Sequence, residues 1–177
     1  MYRHMTDMDA MSIPLPKNKL NGKWKLYYHL PQNTKWDLSS YMVILGDIGY
    51  AEQVIVLNEK MNENIVKNCM LFLMRDGITP MWEDPKNRSG GCFSYKVVNK
   101  SVGEVWKNLF YLACGETLAA NRANHKYING ITVSPKKNFC IVKIWLDTTE
   151  FQDPNFIVDV PNLPKQGCLF KKHEPEF

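Results

Sequence analysis

Sequence motifs of the common enzyme classes are missing from this chain of 177 residues. It has no GxGxxG, no P-loop, no GxSxG and no paired-histidine metal motif, and its four histidines are scattered along the sequence. Such motifs set the local geometry that holds phosphates, dinucleotides or catalytic metals. The sequence therefore favours a binding protein over an enzyme, and it predicts no cofactor.

Clustered cysteines and long apolar runs are missing as well. The five cysteines show no CxxC pair and no zinc spacing: Cys69, Cys92, Cys114, Cys140 and Cys168. This pattern predicts reduced thiols in the cytoplasm, with the nucleus as the alternative. No apolar stretch reaches about 18 residues and no N-terminal run resembles a signal peptide, so we expect neither a membrane span nor secretion.

Charge and composition indicate one globular domain. The apolar fraction of 45% and the length suffice for a single continuous core. Residues 1–17 are rich in methionine and lack a clear period, so we expect a flexible arm there and one domain over 18–177. The net charge of +4 comes without a long basic run, which suits a short anionic ligand better than a DNA groove.

Hydrophobic periodicity predicts an α+β fold. Apolar spacings of three and four predict one helix over 50–67 and another that begins with a capping box at Ser101 and ends at Gly115. Segments of strand character are Lys23–Leu30, Tyr41–Leu45, Cys69–Arg75, 92–99, Tyr127–Val133 and Asn138–Asp147, the last two as a hairpin. We expect a curved antiparallel sheet with helices on its convex face and an open concave face.

The last of these strands has two chemically different faces. One face is uniformly apolar and is expected to lie under the helices: Cys140, Val142, Ile144 and Leu146. The opposite face carries Phe139, Ile141, Lys143 and Trp145. Because it combines aromatic rings with a lysine, this second face could contact a ligand.

A tryptophan stands directly before two carboxylates in a loop bracketed by prolines. Trp82, Glu83 and Asp84 lie between Pro80 and Pro85, where no periodic element requires an apolar side chain. An indole on a turn offers a flat π-face, and the next carboxylate can reach the edge of whatever stacks there. The loop predicts a planar, electron-poor base with adjacent N–H donors as its ligand. The alternative is that both carboxylates are solvated turn residues.

This loop resembles a known family. Gly77-Ile78-Thr79-Pro80-Met81-Trp82-Glu83-Asp84, followed by Lys86-Asn87-Arg88 and Gly90-Gly91, is similar to the cap-binding loop of the eukaryotic translation initiation factor 4E family. Other blocks resemble the same family in the same order: Trp24-Lys25-Leu26-Tyr27-Tyr28, Thr34-Lys35-Trp36, Trp106 with Gly115-Glu116, and Ile144-Trp145. The short sequence after Trp145 indicates a divergent, C-terminally compact member, for which a viral source would fit.

The resemblance implies a ligand and roles for single residues. The family binds the 7-methylguanosine cap of messenger RNA in translation initiation or its control. By resemblance Trp36 and Trp82 sandwich the methylated base, Glu83 reads the guanine edge, and Trp145 lies near the N7 methyl group. The triphosphate then needs cations, and the candidates are Lys136 and Lys137.

Most of these residues also have a plainer interpretation. Trp24 and Trp106 lie on the apolar stripes of regular elements, so we predict that both are core. Trp36 could also be core, and Trp145 is either the edge of the core or a ligand contact. The Lys136-Lys137 pair could be a solvated hairpin tip.

Two departures from the family concern the phosphates. The family's phosphate-contacting lysine aligns with Ile141, and the arginine after its double glycine aligns with Cys92. We therefore expect weaker or rerouted phosphate binding. Lys143 lies on the same strand face as Ile141 and could supply the missing charge.

A larger departure concerns the helical side, where family members bind initiation factor 4G and the 4E-binding proteins. Recognition positions lose their usual character at Lys19, Ile55, Lys107 and Asn108. We predict a monomer that binds a scaffold or repressor protein on this side without the usual 4G-type motif. The rival functions are an interaction domain that has lost cap binding, or a cap-processing enzyme.

Overall fold

The structure is a computed structural model that describes residues 17–175, so nearly all of the expected N-terminal arm lies outside the described residues. Within this range seven strands form one antiparallel sheet in the order β2-β1-β3-β5-β6-β4-β7. The strands are β1 (Lys19–His29), β2 (Met42–Tyr50), β3 (Met70–Arg75), β4 (Gly91–Val98), β5 (Ile128–Pro135), β6 (Phe139–Leu146) and β7 (Leu169–Lys172).

Three α-helices in the described part pack on one face of this sheet: α1 (Ala51–Lys60), α2 (Glu63–Asn68) and α3 (Val102–Cys114). Helix α3 contacts α1, α2, β1 and β5 and so occupies the centre of the core. Short 3-10 helices occupy Leu38–Ser40, Arg122–Tyr127 and Pro154–Phe156. No helix among residues 17–175 is long and apolar enough to cross a membrane. The predicted α+β fold is confirmed.

Strand alternation correctly predicted which side chains enter the core. The apolar face of β6 is fully buried at Cys140, Val142, Ile144 and Leu146. Trp24 and Trp106 belong to the same core, which confirms that they are scaffold residues. The opposite face of the sheet carries a second, smaller apolar cluster that includes Trp145. That face holds the site described below.

The single helix predicted over 50–67 is wrong, because the chain forms α1 and α2 with a break at Met61 and Asn62. The Asn62 side chain accepts a hydrogen bond from the backbone N–H of Asn64 at 2.9 Å and so begins a new helix. The apolar stripe predicted for this helix ends at the same point. Ile65, which the stripe predicts to be buried, is exposed, and Val66 is buried instead.

Two smaller expectations also fail. Ser101 has helical dihedral angles of −107° and −11° and no capping hydrogen bond from its side chain, so the capping box is not formed. A capping residue needs extended backbone to turn its oxygen toward the free N–H groups. Strand β1 begins at Lys19 rather than Lys23 and ends before Leu30, which is exposed.

Candidate functional site

A cavity of about 410 Å³ opens on the concave face of the sheet, and we call it the slot. It lies between the segment that follows β1 and the loop that joins β3 to β4. Its lining is mostly aromatic and apolar with a few charged groups: Trp36, Tyr41, Met70, Phe72, Pro80, Met81, Trp82, Glu83, Thr132, Ser134, Lys143, Trp145 and Glu174. The structure thus brings together Trp36, Trp82, Glu83, Lys143 and Trp145 of the predicted site.

Trp36 is half exposed, at 50%, and is not a core residue. Its indole stacks on the buried His29 ring with 4.2 Å between centroids and 2° between planes. The two ring nitrogens of His29 lie 3.0 Å from the Leu30 carbonyl oxygen and 2.8 Å from that of Lys35, which fixes the imidazole plane. His29 therefore holds one face of Trp36 and leaves the other toward the slot.

The loop that carries Trp82 is held by the buried side chain of Asp84. Its carboxylate accepts hydrogen bonds from the Thr79 backbone N–H at 2.7 Å, the Thr79 hydroxyl at 2.8 Å and the Lys86 backbone N–H at 2.8 Å. Asp84 is thus a structural residue of the loop. The interpretation of Asp84 as a solvated turn residue is wrong.

Two asparagines complete the frame of this loop. Asn87 is fully buried, and its amide donates to the carbonyl oxygens of Thr79 at 3.0 Å and Met81 at 2.8 Å. Asn129, on β5, donates to the Asn87 side-chain oxygen at 2.9 Å and to the Lys86 carbonyl at 2.8 Å. The loop is therefore tied directly to the sheet, which fixes where Trp82 stands.

His173, just after β7, lies behind Trp82. Its ring stacks on the Trp82 indole with 5.6 Å between centroids and 17° between planes, and it lies 4.9 Å from the Trp145 ring. Its Nδ1 donates to the Asn87 carbonyl at 2.7 Å. Burial lowers the pKa of His173, the nearby Lys143 charge acts in the same direction, and the Asn87 hydrogen bond opposes both. Burial thus favours a neutral ring behind the tryptophan.

Trp145 lies at the edge of the core, and its contact with a ligand stays a prediction. It is 4% exposed and belongs to the apolar cluster of the concave face, yet it also lines the slot. Its Nε1 donates to the Thr132 hydroxyl at 3.2 Å, which fixes the indole plane. Lys143 lines the same cavity, with its ammonium 5.8 Å from the centre of the Trp82 ring.

Two carboxylates, those of Glu83 and Glu174, line the slot and give it negative charge. Glu83 lines the cavity near Tyr41, and its charge adds to burial in raising the pKa of the Tyr41 phenol to about 12. The Tyr41 phenol is therefore protonated at neutral pH. Glu174 is a second carboxylate in the lining, which the sequence did not single out.

The hairpin lysines do not reach the slot. Lys136 and Lys137 are exposed in the turn between β5 and β6 and are not part of the cavity lining. Neither Ile141 nor the buried Cys92 offers a cation, and burial raises the pKa of the Cys92 thiol. Among residues 17–175 no group of His, Cys, Asp and Glu side chains is arranged to hold a metal ion.

Three of the four predicted partner residues lie on the helices at the other side of the sheet, and Lys19 lies at the start of β1. Ile55 on α1 is exposed, as are Lys19 at the start of β1 and Lys107 on α3, while Asn108 is half-buried. Lys107 borders a second cavity, of about 310 Å³, between α1, α2 and α3. Their role in partner choice stays a prediction.

An antiparallel sheet with helices on one face and an aromatic slot on the other defines the class of this protein as an α+β domain with an open aromatic cavity. The family model described as Eukaryotic initiation factor 4E matches residues 19–165. The chain therefore belongs to the eukaryotic initiation factor 4E family.

Relatives at moderate identity agree. The initiation factor 4E homolog of Acanthamoeba polyphaga mimivirus is 30% identical over 156 residues, which cover 75% of this chain and 55% of the relative. Initiation factor 4E of Xenopus laevis is 23% identical over 156 residues, with 85% of this chain and 70% of the relative covered. The chain thus spans little more than half the length of the mimivirus relative.

Solved structures share the fold. The complex of Ascaris suum initiation factor 4E-3 with an m7G cap has a TM-score of 0.66 at 21% identity, covering 76% of each chain. A schistosome initiation factor 4E in complex with m7GpppG and a 4E-binding protein has a TM-score of 0.66 at 22% identity, covering 77% of this chain and 75% of the other. Likeness at this identity shows the architecture, and the ligands belong to those proteins.

Proposed function

We propose that this chain binds the 7-methylguanosine cap of messenger RNA as a single-domain, non-enzymatic protein of translation initiation or its control. The observation that carries the proposal is one cavity lined by Trp36 and Trp82, each held from behind by a histidine, with Glu83 in the same lining. Membership of the family and the cap complexes of structural neighbours support it.

The chemistry of the methylated base suits the tryptophans. Methylation at N7 gives guanine a delocalised positive charge, and an indole face attracts a cation by about 2 kcal/mol when the pair is desolvated. In the proposed complex Trp36 and Trp82 stack on the two faces of the base. Trp145 then lies beside the methyl group. An unmethylated guanine keeps the stacking and loses the charge, so methylation should raise affinity.

In the proposed complex, Glu83 determines which base is bound. A carboxylate can accept hydrogen bonds from guanine N1–H and from the exocyclic N2–H, each worth about 1.5 to 3 kcal/mol because the acceptor is charged. Adenine has no such donor pair at that edge. Glu83 thus selects guanine while the tryptophans select methylation.

The phosphates require cations beyond the base pocket. Lys143 already lines the slot and is the first ammonium that a triphosphate would meet. Lys136 and Lys137 lie outside the lining, so their contact with phosphates is a prediction that depends on the length of the bound chain.

Titration with cap analogues tests this proposal. Wild type, Trp82→Ala and Glu83→Gln are titrated calorimetrically with 7-methylguanosine triphosphate and with guanosine triphosphate. Glu59→Gln, at an exposed position of α1, serves as control. We expect a methyl-dependent preference of at least tenfold in wild type and control, lost in Trp82→Ala. Glu83→Gln should bind the analogue at least tenfold more weakly, which corresponds to about 1.4 kcal/mol. Equal or absent binding of both nucleotides by wild type would instead favour an interaction domain without a cap ligand.

A protein partner on the helical face is also proposed. In structural neighbours a 4E-binding protein accompanies the factor, as in the Caenorhabditis elegans complex with Mextli. Because Lys19, Ile55, Lys107 and Asn108 change the recognition positions, we expect micromolar or weaker binding of a peptide with the usual 4G motif. Fluorescence anisotropy of a labelled peptide measures this. A nanomolar complex would show that the altered positions do not govern recognition.

A further inference from the structure

The three strands on one side of the slot carry basic residues and no acidic ones. No Asp or Glu occurs in the strand segments Phe139–Leu146, Gly91–Val98 and Leu169–Lys172, which lie side by side as β6, β4 and β7. Four lysines occur in the same segments: Lys96, Lys143, Lys171 and Lys172. This part of the sheet therefore attracts anions.

Strand register places three of these lysines on the slot face. Directly paired residues of antiparallel strands point to the same side of a sheet. Cys92 pairs with both Trp145 and Lys171, so Lys171 points to the same side as the slot tryptophan. Lys143 and Lys96 follow at even spacing on β6 and β4 and share that side. Lys172, the next residue on β7, points the other way.

Apolar side chains lie between these lysines. The Lys96 ammonium lies 4.4 Å from the centre of the Phe139 ring. Val98 and Leu169, on the same face, are each at least half exposed. Cations next to aromatic and apolar side chains are typical of surfaces that bind single-stranded nucleic acid without sequence preference. We call this set, Lys96, Val98, Phe139, Leu169 and Lys171, the β4 lysine surface.

The surface is continuous with the slot through Lys143. Lys143 lines the slot and pairs with Ser94, and Lys96 is two residues further along β4. Diagonal neighbours on a sheet are about 7–8 Å apart, within reach of two long side chains acting on neighbouring phosphates. None of the ion pairs among residues 17–175 involves these lysines, since their basic members are Lys23, Lys67, Arg75 and Lys165.

We propose that the β4 lysine surface binds the RNA chain that follows the cap, through phosphates on Lys96 and Lys171 and apolar contact with Phe139 and Leu169. The inference rests on the proposed function, because the cap in the slot brings the RNA past Lys143. It assigns to this chain a second, sequence-independent contact with its ligand, away from the base pocket.

The test compares three ligands: 7-methylguanosine triphosphate, a capped six-nucleotide RNA, and the same RNA with an unmodified 5′-triphosphate. Affinities are measured by competition at several salt concentrations for wild type, Lys96→Ala, Lys171→Ala and Lys172→Ala. Lys172 is the matched control, since it lies beside Lys171 on the same strand and faces the other way.

We expect wild type to bind the capped RNA more tightly than the triphosphate. Lys96→Ala and Lys171→Ala should each weaken capped RNA by about threefold to tenfold and lower the salt slope by roughly 0.7, while Lys172→Ala does neither. Binding of 7-methylguanosine triphosphate should stay unchanged in Lys171→Ala and Lys172→Ala.

Three outcomes would overturn the inference. The first is that wild type binds capped RNA and 7-methylguanosine triphosphate with equal affinity. In that case the RNA chain adds no contact, and the proposed function still holds. The second is an equal loss in Lys172→Ala and Lys171→Ala, which would show only a general charge effect. The third is unchanged capped-RNA affinity in Lys96→Ala and Lys171→Ala, which would leave this face to another partner, such as an acidic peptide. If the triphosphate does not bind at all, the proposed function fails, and lysine-dependent binding of the unmodified RNA would still support this surface.

Discussion

At the scale of single residues, the two tryptophans of the slot are supported in the same way. Each has a histidine ring stacked on the face away from the cavity, His29 for Trp36 and His173 for Trp82. An exposed indole that is free to rotate must be ordered when it stacks on a ligand, and that ordering reduces affinity. The histidines fix the indole planes before any ligand arrives.

Removal of the His29 ring should therefore weaken binding without removing a ligand contact. We expect His29→Ala to lower affinity for 7-methylguanosine triphosphate by roughly threefold to tenfold, because an aromatic pair contributes about 0.5–1.5 kcal/mol. His29→Phe keeps a ring of similar shape and should recover most of the affinity. Calorimetric titration of both variants measures the effect. If the phenylalanine variant binds as weakly as the alanine variant, stacking is not the cause.

At the scale of elements, steric contacts require glycine at both positions that lead from the Trp82 loop into β4. A Cβ on Gly90 would lie 1.8 Å from the Leu146 carbonyl oxygen. A Cβ on Gly91 would lie 2.6 Å from the Lys171 carbonyl oxygen and 2.6 Å from the Phe170 ring. The loop can enter the sheet between β6 and β7 only because neither residue has a side chain.

We expect Gly90→Ala to destabilise the fold by more than about 3 kcal/mol, since backbone atoms of β6 would have to move. Gly46→Ala on β2 is the matched control, because its nearest neighbours would lie at an ordinary 3.7 Å. Urea unfolding of the two variants checks the difference. Similar midpoints would mean that the loop adapts without moving β6.

Strands and their faces were predictable from the sequence, because alternation reports burial directly, as on β6. The break between α1 and α2 was not, since a regular apolar spacing continued through the Asn62 cap. Within the site, the Trp82 block was found from local sequence. His173 was missed, because its contact with the Asn87 carbonyl joins residues 86 positions apart and leaves no local pattern.

At the scale of the whole molecule, His125 links stability to pH. It is almost fully buried, and its Nδ1 lies 2.9 Å from the Arg75 guanidinium, which also forms an ion pair with Glu116 at 3.1 Å. Burial chiefly, with the Arg75 charge, lowers the pKa of His125 from 6.5 to about 4, and Glu116 opposes this weakly. The folded protein therefore holds a neutral ring that accepts a hydrogen bond from Arg75.

Between pH 6.5 and about 4 the unfolded chain binds a proton at His125 that the folded chain does not. Stability should therefore be complete above pH 6.5 and fall as the pH drops through this window, by at most about 3 kcal/mol. His125→Gln keeps a hydrogen-bond acceptor without the titration, so its stability should vary less. Urea unfolding at pH 7, 6 and 5 measures both slopes. Parallel slopes would assign the pH dependence to other groups.

The contact between β7 and the Trp82 loop links the slot to a strand at the far edge of the sheet. His173 touches Trp82, Trp145 and the Asn87 carbonyl at once, so separation of β7 from β4 would release the support behind the indole. Suppose that a ligand binds only when the Trp82 indole is supported by His173. Because linked equilibria are reciprocal, the free energy by which β7 pairing favours ligand binding equals the free energy by which the ligand favours β7 pairing. Ligand binding in the slot should then slow the exchange of the β7 amide hydrogens with solvent, although β7 lies at the edge of the sheet.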